Sequence, residues 1–229
     1  MTKNNISHIA IIMDGNRRWA VAHHLPKIIG HTEGSKNLKN IIKAAQKRGI
    51  AYLTVWALST DNLANRSPEE LKHLFSLFEK LADDLDSSKK NNLRIRVIGD
   101  LSKLPATTQQ KLNAVIDKTK NHTGLTLNLA INYGGRDELI RAVQKIIKQN
   151  ISADRINEKL ISDFLDTADT PEPELIIRTG GNQRLSGFMP WQSIYSELYF
   201  TPTFFPAFSE KNLDEAIEWF EEQQRNRGK

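Results

Sequence analysis

The chain has 229 residues, 39% hydrophobic and 26% charged, a globular balance that excludes a disordered or collagen-like protein. Cysteine is absent, which rules out disulfides, thiolate metal sites and cysteine nucleophiles. A formal net charge of +5 favours an anionic partner, whether nucleic acid, a membrane surface or a phosphorylated metabolite.

The first residues, Met1 to Asn5, carry neither a signal-peptide core nor an amphipathic transit helix, and apolar runs stay near strand length. A soluble, cytoplasmic protein is expected. Ile9 to Met13 is a continuous apolar run, the mark of a strand buried on both faces. A helix is expected from about Glu33, with Leu38, Ile41, Ile42 and Ala45 at helical spacing and Gly49 placed to end it. Tyr52 to Leu58 reads as the second strand. Ser67-Pro68-Glu69-Glu70 then forms a capping box with proline at the first helical position. The helix behind it carries Leu71, Leu74, Phe75, Phe78, Ala82 and Leu85 on one face.

Leu93 to Ile98 reads as a third strand, followed by a helix from Ala106 to Lys120. Leu125 to Ile131 is a fourth strand, and the next helix bears Leu139, Ala142, Val143 and Ile146. After a short helical stretch and the loop of Pro171 and Pro173 come strands at Leu175 to Ile177 and Tyr195 to Phe200. A last helix carries Leu213, Ala216, Ile217 and Phe220. No repeat or flexible linker interrupts the pattern, so residues 1–229 are expected to form a single domain. Strands alternating with helices predict an α/β fold with a mostly parallel six-stranded sheet flanked by helices.

In open sheets of this kind ligands bind beyond the carboxyl ends of the strands. The first strand exits into Asp14-Gly15-Asn16-Arg17-Arg18-Trp19, the second into Ser59-Thr60-Asp61-Asn62, the third into Gly99-Asp100 and the fourth into Asn132-Tyr133-Gly134-Gly135-Arg136. The fifth exits into Arg178-Thr179-Gly180-Gly181-Asn182-Gln183-Arg184-Leu185-Ser186. Guanidinium forks, hydroxyls and glycine-freed amides on one sheet edge make an anion site. A lone aspartate among them repels phosphate unless a divalent cation lies between, and magnesium takes one or two carboxylates plus phosphate and water. The alternative is a solvated turn in which Asp14 caps the next helix, and spacing leaves both open. His31, next to Gly30 and near a helix start, suits a phosphate donor. A P-loop, a dinucleotide-binding glycine motif and a hydrolase elbow are all missing. The basic residues also lack the interleaved exposed aromatics of a nucleic-acid platform, so no nucleic-acid partner is expected.

These residues carry a family resemblance. His8-Ile9-Ala10-Ile11-Ile12-Met13-Asp14-Gly15-Asn16-Arg17-Arg18-Trp19-Ala20 resembles the opening signature of the cis-prenyltransferases, whose best-known members are undecaprenyl diphosphate synthases. Gly30-His31, Ser59-Thr60-Asp61-Asn62, Asn132-Tyr133-Gly134-Gly135-Arg136, Arg178-Thr179-Gly180-Gly181 and the segment from Trp191 to Phe200 follow in the family's order. The resemblance implies a homodimeric, Mg2+-dependent transferase that condenses isopentenyl diphosphate with an allylic diphosphate such as geranyl or farnesyl diphosphate. The product is a cis-polyprenyl diphosphate, and peripheral membrane contact fits such a lipid.

By position, the resemblance makes Asp14 the magnesium-binding and catalytic carboxylate. Asn62 borders the reacting ends. Gly15, Asn16, Arg17, Arg18, Trp19, Lys27, His31 and Ser59 are placed around the allylic diphosphate, and Arg178, Arg184 and Ser186 around isopentenyl diphosphate. Glu197 resembles the glutamate that reaches across the dimer to assist the metal. The chain departs from the undecaprenyl pattern at Lys27, usually arginine, at Leu63, usually tryptophan, and at Asn182, often acidic. Arg66 stands one residue late, with Asn65 in the usual arginine place, and the tail reads Arg225-Asn226-Arg227-Gly228. Small Ala57 stands where bulk would shorten the product, whereas the Asp61-Asn62-Leu63 style resembles shorter-product members, so chain length stays open. A non-catalytic partner subunit sharing the fold is the main rival. Such a subunit would be expected to lose Asp14 or the arginines, and this chain keeps them.

Overall fold

The computed structural model describes residues 6–87 and 92–223, so the Arg225 to Gly228 tail lies outside the described residues. Six strands form one sheet: β1 (His8–Ile12), β2 (Tyr52–Ser59), β3 (Arg94–Ile98), β4 (Thr126–Tyr133), β5 (Leu175–Arg178) and β6 (Glu197–Phe200). Their order is β3-β4-β2-β1-β5-β6, and every neighbouring pair is parallel. The sheet is therefore wholly parallel, stricter than the mostly parallel sheet expected. Parallel strands need covered faces. All residues of β1, β4 and β5 are buried, which is why those segments read as apolar runs rather than alternating ones.

The helices are α1 (Asn16–Ala22), α2 (Lys27–Lys47), α3 (Thr60–Asn65), α4 (Pro68–Ser87), α5 (Ala106–Thr119), α6 (Gly135–Lys148), α7 (Glu158–Phe164) and α8 (Glu210–Glu222). Among the described residues no helix is long and apolar enough to cross a membrane. One apolar core joins α2, α4, α5 and α8 to β1, β2, β4 and β5. A second, smaller one gathers Ala10, Ile12, Ile98, Ala130, Ile176, Phe188 and Met189 around Tyr133.

Several boundaries differ from the sequence reading: β2 runs on to Ser59, β5 runs on to Arg178 and β6 begins only at Glu197, and two further differences bear on the site. Helix α2 begins at Lys27, directly after Pro26, so His31 lies inside the helix rather than near its start. Gly30 and Gly34 hide this because they break the apolar pattern. A Cβ on Gly30 would stand 2.0 Å from the Asn16 carbonyl oxygen, and one on Gly34 would stand 2.2 Å from Asn16 Oδ1. Both glycines let α1 lie against α2. Strand β4 runs on to Tyr133, so Asn132 and Tyr133 belong to the strand and not to its exit.

The chain returns to the sheet on opposite sides of β1. From β1 it crosses to β2, and from β4 it crosses back to pair β5 with β1. The carboxyl end of β1 is thus the switch point of the sheet, where open α/β folds leave a crevice. At its other end His8 is fully buried. Its Nδ1 donates to the Pro171 carbonyl at 2.6 Å, and its Nε2 accepts from the Thr54 hydroxyl at 2.8 Å.

Burial pushes the His8 pKa down from 6.5 to about 4, against the opposing pull of the Pro171 carbonyl. The unfolded chain therefore takes up the proton first. Stability is complete above about pH 6.5, falls as the pH drops from 6.5 to about 4, and levels off below that. In urea titrations a His8→Gln variant is expected to start less stable than the parent at pH 7. The gap should narrow by about 3 kcal/mol by pH 4. A gap that is constant with pH would contradict a buried neutral His8.

Candidate active site

Five segments meet at the carboxyl end of β1. They enclose a cavity of about 800 Å³ whose polar wall includes Asp14, Arg17, Arg18, Lys27, His31, Ser59, Asn62, Arg66, Arg178 and Ser186. Asp14 follows β1 by two residues and is held by donors from two directions. Its Oδ1 accepts from Arg18 Nη2 at 3.0 Å, one helical turn on. Its Oδ2 accepts from Arg178 Nη2 at 3.0 Å and from Asn182 Nδ2 at 2.8 Å. The backbone carbonyl of Asp14 accepts from Thr179 Oγ1 at 2.7 Å and from Phe205 N at 3.0 Å. Burial raises the Asp14 pKa, but the Asn182 and Arg178 bonds and the two guanidinium charges outweigh it and hold the carboxyl below its ordinary value.

Arg178 is the last residue of β5 and is itself buried. Its Nη1 donates to Ser186 Oγ at 2.8 Å and also to the Arg184 carbonyl, while Nε has no hydrogen-bond partner among the described residues. Arg184 Nε donates to the same Ser186 oxygen at 3.1 Å. On β2 the Ser59 hydroxyl caps α3 by accepting from Asn62 N at 3.0 Å, which leaves its own proton free to donate. Beyond the polar wall a smaller compartment of about 50 Å³ runs between α2, α4 and the sheet. It shares Met13, Asn16, His31 and Ala57 with the main cavity and is otherwise bordered mainly by leucine, isoleucine and phenylalanine. A polyanion at one end and a hydrocarbon at the other would be complementary to this pair of spaces.

Comparison with known proteins agrees with that chemistry. A family model described as "Putative undecaprenyl diphosphate synthase" matches residues 12–228. The chain belongs to this prenyltransferase family. It is 44% identical over 226 residues to an isoprenyl transferase of Treponema denticola, covering 98% of both chains. It is 46% identical over 235 residues to one of Streptococcus mutans, covering 97% of this chain and 92% of the other. Among solved structures, lavandulyl diphosphate synthase from Lavandula x intermedia, in complex with dimethylallyl diphosphate, superposes with a TM-score of 0.94. It has 35% identity over 99% of each chain. A "probable undecaprenyl diphosphate synthase" of Campylobacter jejuni gives a TM-score of 0.82 at 34% identity, covering 98% and 99% of the two chains. This prenyltransferase is therefore an enzyme of isoprenoid biosynthesis, from a family that extends prenyl chains.

Of the positions singled out in the sequence, Asp14, Gly15, Asn16, Arg17, Arg18, Lys27, His31, Ser59, Asn62, Arg178 and Ser186 all border the cavity. Three do not. Trp19 stacks on His23 with ring centroids 4.2 Å apart. Arg184 is exposed and reaches the site through Ser186. Glu197 opens β6 beside Leu175, whereas Arg178 pairs with Phe200. Three residues of strand, about 10 Å, separate Glu197 from the level of Arg178 within one chain.

The structure adds residues that the motifs did not supply. Arg66 lines the cavity with its Nε buried and without a hydrogen-bond partner among the described residues, and burial lowers its pKa, a charge of Arg17 adding to the effect. Its displacement in the sequence was the visible signal. Phe204 lies under the Arg18 guanidinium at 5.2 Å and blocks the space beside Gly15, and nothing in the sequence marked it. Among the described residues no group of three or more histidines and carboxylates could cage a metal. The single Asp14 carboxylate at the cavity is the kind of donor that magnesium takes together with ligand phosphates and water.

The loop after β5 depends on backbone that only glycine adopts cheaply. Gly180 has φ +83°, and a Cβ there would stand 2.7 Å from Arg18 Nη2 and 3.2 Å from the Asp14 carbonyl carbon. Gly49 has φ +71° with nothing within 4 Å. Gly49→Ala is expected to cost about 1 kcal/mol of unfolding free energy in urea, and Gly180→Ala about 2–3 kcal/mol. Equal costs would mean that the close approach of Arg18 and Asp14 is not enforced.

Proposed function

We propose that this prenyltransferase condenses isopentenyl diphosphate with an allylic diphosphate, such as geranyl or farnesyl diphosphate, to give a cis-polyprenyl diphosphate. The observation that carries the reading is the Asp14 carboxylate, ringed by Arg18, Arg178 and Asn182 at the mouth of a cavity that continues into an apolar compartment. Lavandulyl diphosphate synthase, whose solved complex holds dimethylallyl diphosphate, supports a prenyl diphosphate as ligand class.

In this reading Gly15, Asn16, Arg17, Arg18, Lys27 and His31, with Ser59 at the rim, hold the allylic diphosphate. Arg178 and Ser186 hold isopentenyl diphosphate, with Arg184 orienting Ser186. A carbon–carbon bond forms at the allylic carbon as its bond to the diphosphate oxygen breaks, and a proton leaves the isopentenyl unit to set the new double bond. Negative charge grows on the departing diphosphate, where preorganised guanidiniums stabilise it more than they stabilise the bound substrate. Fixing both substrates side by side removes the entropy of a two-body encounter. Magnesium, held by Asp14, would neutralise diphosphate oxygens as a Lewis acid. Asn62 stands at the cavity wall, where the reacting ends would meet. The hydrocarbon tail would enter the apolar compartment by displacing Leu74, Phe78 and Leu81 of α4.

We further propose that the enzyme works as a homodimer of single-domain subunits. Ile140, Val143 and Ile147 lie on one face of α6 with exposures of 58%, 46% and 67%, and Ile194 and Tyr195 are also exposed. Helix α6 joins the segment before them through the Gly135 N–H bond to the Gly187 carbonyl at 2.8 Å. A second copy covering this face would bury its exposed apolar groups, and Glu197 is then free to serve the neighbouring site.

The direct test is incubation with labelled isopentenyl diphosphate, Mg2+ and geranyl or farnesyl diphosphate, followed by chromatography of the product. Asp14→Ala is expected to lower turnover by at least about 100-fold in a protein that stays folded but melts lower, because buried Arg178 loses its partner, and chelation of Mg2+ should lower turnover likewise without that loss of stability. Near-normal turnover in a folded Asp14→Ala protein would remove the central assignment. Sedimentation should give about twice the chain mass of 26.1 kDa, falling to one chain mass in Ile147→Glu.

A further inference from the structure

Glu70 stands at the third position of α4, where a capping box would turn its carboxylate back to the Ser67 N–H. Only half of that box forms: Glu70 N donates to Ser67 Oγ at 3.3 Å. The carboxylate is used elsewhere. Its Oε1 accepts from His31 Nε2 at 3.0 Å and lies 3.4 Å from Arg66 Nη1, and its Oε2 lies 4.0 Å from Arg17 Nη1. One carboxylate thus touches side chains from α1, α2 and the end of α3. All three of these partners line the main cavity, and Glu70 itself does not.

The donors gathered in this way are poorly paired without it. His31 is 7% exposed, and the Arg66 side chain is 15% exposed, with Nε and Nη1 lacking a hydrogen-bond partner among the described residues. A buried guanidinium left unpaired is costly, so Arg66 needs a counter-charge whether or not a ligand is present. Because the carboxylate accepts at Nε2, that ring nitrogen of His31 carries a hydrogen. This fixes the imidazole before any ligand arrives.

We propose that Glu70 is a positioning residue for the diphosphate of the allylic substrate, holding Arg17, His31 and Arg66 in place from behind the cavity wall. The proposal rests on the reading of this cavity given above. Its sign separates it from a simple charge effect. A carboxylate near an anion repels it, so losing Glu70 would tighten anion binding if charge alone mattered. Positioning gives the opposite result, because three side chains would then have to be ordered when the ligand binds.

The test is calorimetric titration of inorganic pyrophosphate into the full chain and its Glu70→Ala and Glu70→Gln variants, paired with steady-state kinetics. Glu70→Ala is expected to weaken pyrophosphate binding about tenfold, on the scale of ordering a few side chains. The KM for the allylic diphosphate should rise by the same factor, with kcat and the KM for isopentenyl diphosphate within about twofold. Glu70→Gln keeps an acceptor for His31 and should fall between the two, and it carries the test if the alanine variant does not fold. Unchanged or tighter pyrophosphate binding in a variant that melts like the parent overturns the proposal, as does an equal rise in both KM values. Weakened pyrophosphate binding in Glu70→Ala, beside a parent protein that consumes no allylic diphosphate, would leave the positioning role standing and remove the substrate reading instead.

Discussion

Arg178 and Asp14 depend on each other. The guanidinium at the end of β5 is almost wholly removed from water, with a side-chain exposure of 6%, and Asp14 Oδ2 accepts from it at 3.0 Å. Stripping either partner from such a pair strands a charge, at a cost of about 3–5 kcal/mol, whereas keeping both contributes little net stability. The pair is thus weak as glue and strong as a constraint. It requires β1 and β5 to be neighbours, and it requires the loop after β5 to fold back so that Ser186, the Arg184 carbonyl and Asn182 can serve the remaining donors and acceptors. A diphosphate that took over the Arg178 donors would release the Asp14 carboxylate for another cation. Charge balance at this spot is a choice between internal and bound partners.

The wholly parallel sheet makes such a choice possible at one place only. Strands β1, β4 and β5 are buried on both faces, and side chains along their length serve packing. Functional groups must then leave at the strand ends. At β1 the flanking strands are reached by crossovers in opposite senses, so the helices that follow part there instead of closing over the edge. Helix α1 fills part of the gap by lying against α2. The glycines that permit this, Gly30 and Gly34, place the Asn16 side chain between the two helices with Oδ1 buried and unpartnered. Two small residues therefore set how far Arg17, Arg18 and His31 stand from one another.

The strands were legible because burial on both faces writes an apolar run of strand length, as at Ile9 to Ile12 and Leu175 to Ile177. The exits were legible because their residue types have few structural uses in combination. What local pattern could not convey was where a side chain is spent once the chain has folded. Trp19 lies in the motif that surrounds Asp14, yet its ring stacks on His23, because α1 turns that position off the cavity wall. Arg66 looked misplaced by one residue, but α3 ends in an extended Arg66 with φ −82° and ψ 154°, and this returns the guanidinium to the cavity. The full capping box expected at Ser67 to Glu70 gave way for a similar reason, since the carboxylate gains more from three cationic or polar partners than from one backbone amide. Glu197 is informative in the opposite sense: its level in β6 follows from strand register, which a single sequence does not state.

Backbone strain is distributed in keeping with this. Of the described non-glycine residues with positive φ, Asn132 at +48° lies where β4 ends, and Ser186 at +53° and Met189 at +49° lie in the segment after β5. Asparagine tolerates that conformation through its short polar side chain, but serine and methionine do so only when the surroundings fix them. At Ser186 the fixing groups are Arg178 and Arg184, which both donate to its hydroxyl. At Met189 it is complete burial in the small core beside Phe188 and Tyr133. Phe188 in turn stacks on Trp56 of the cavity wall at 5.1 Å, so the strained loop is braced by β2 and β4 as well as by β5. A loop held on both sides in this way has little freedom left to lose when an anion binds. The rigidity of the Arg178 side of the cavity is thus already met by folding, whereas on the α1 side the cations still depend on neighbouring side chains for their order.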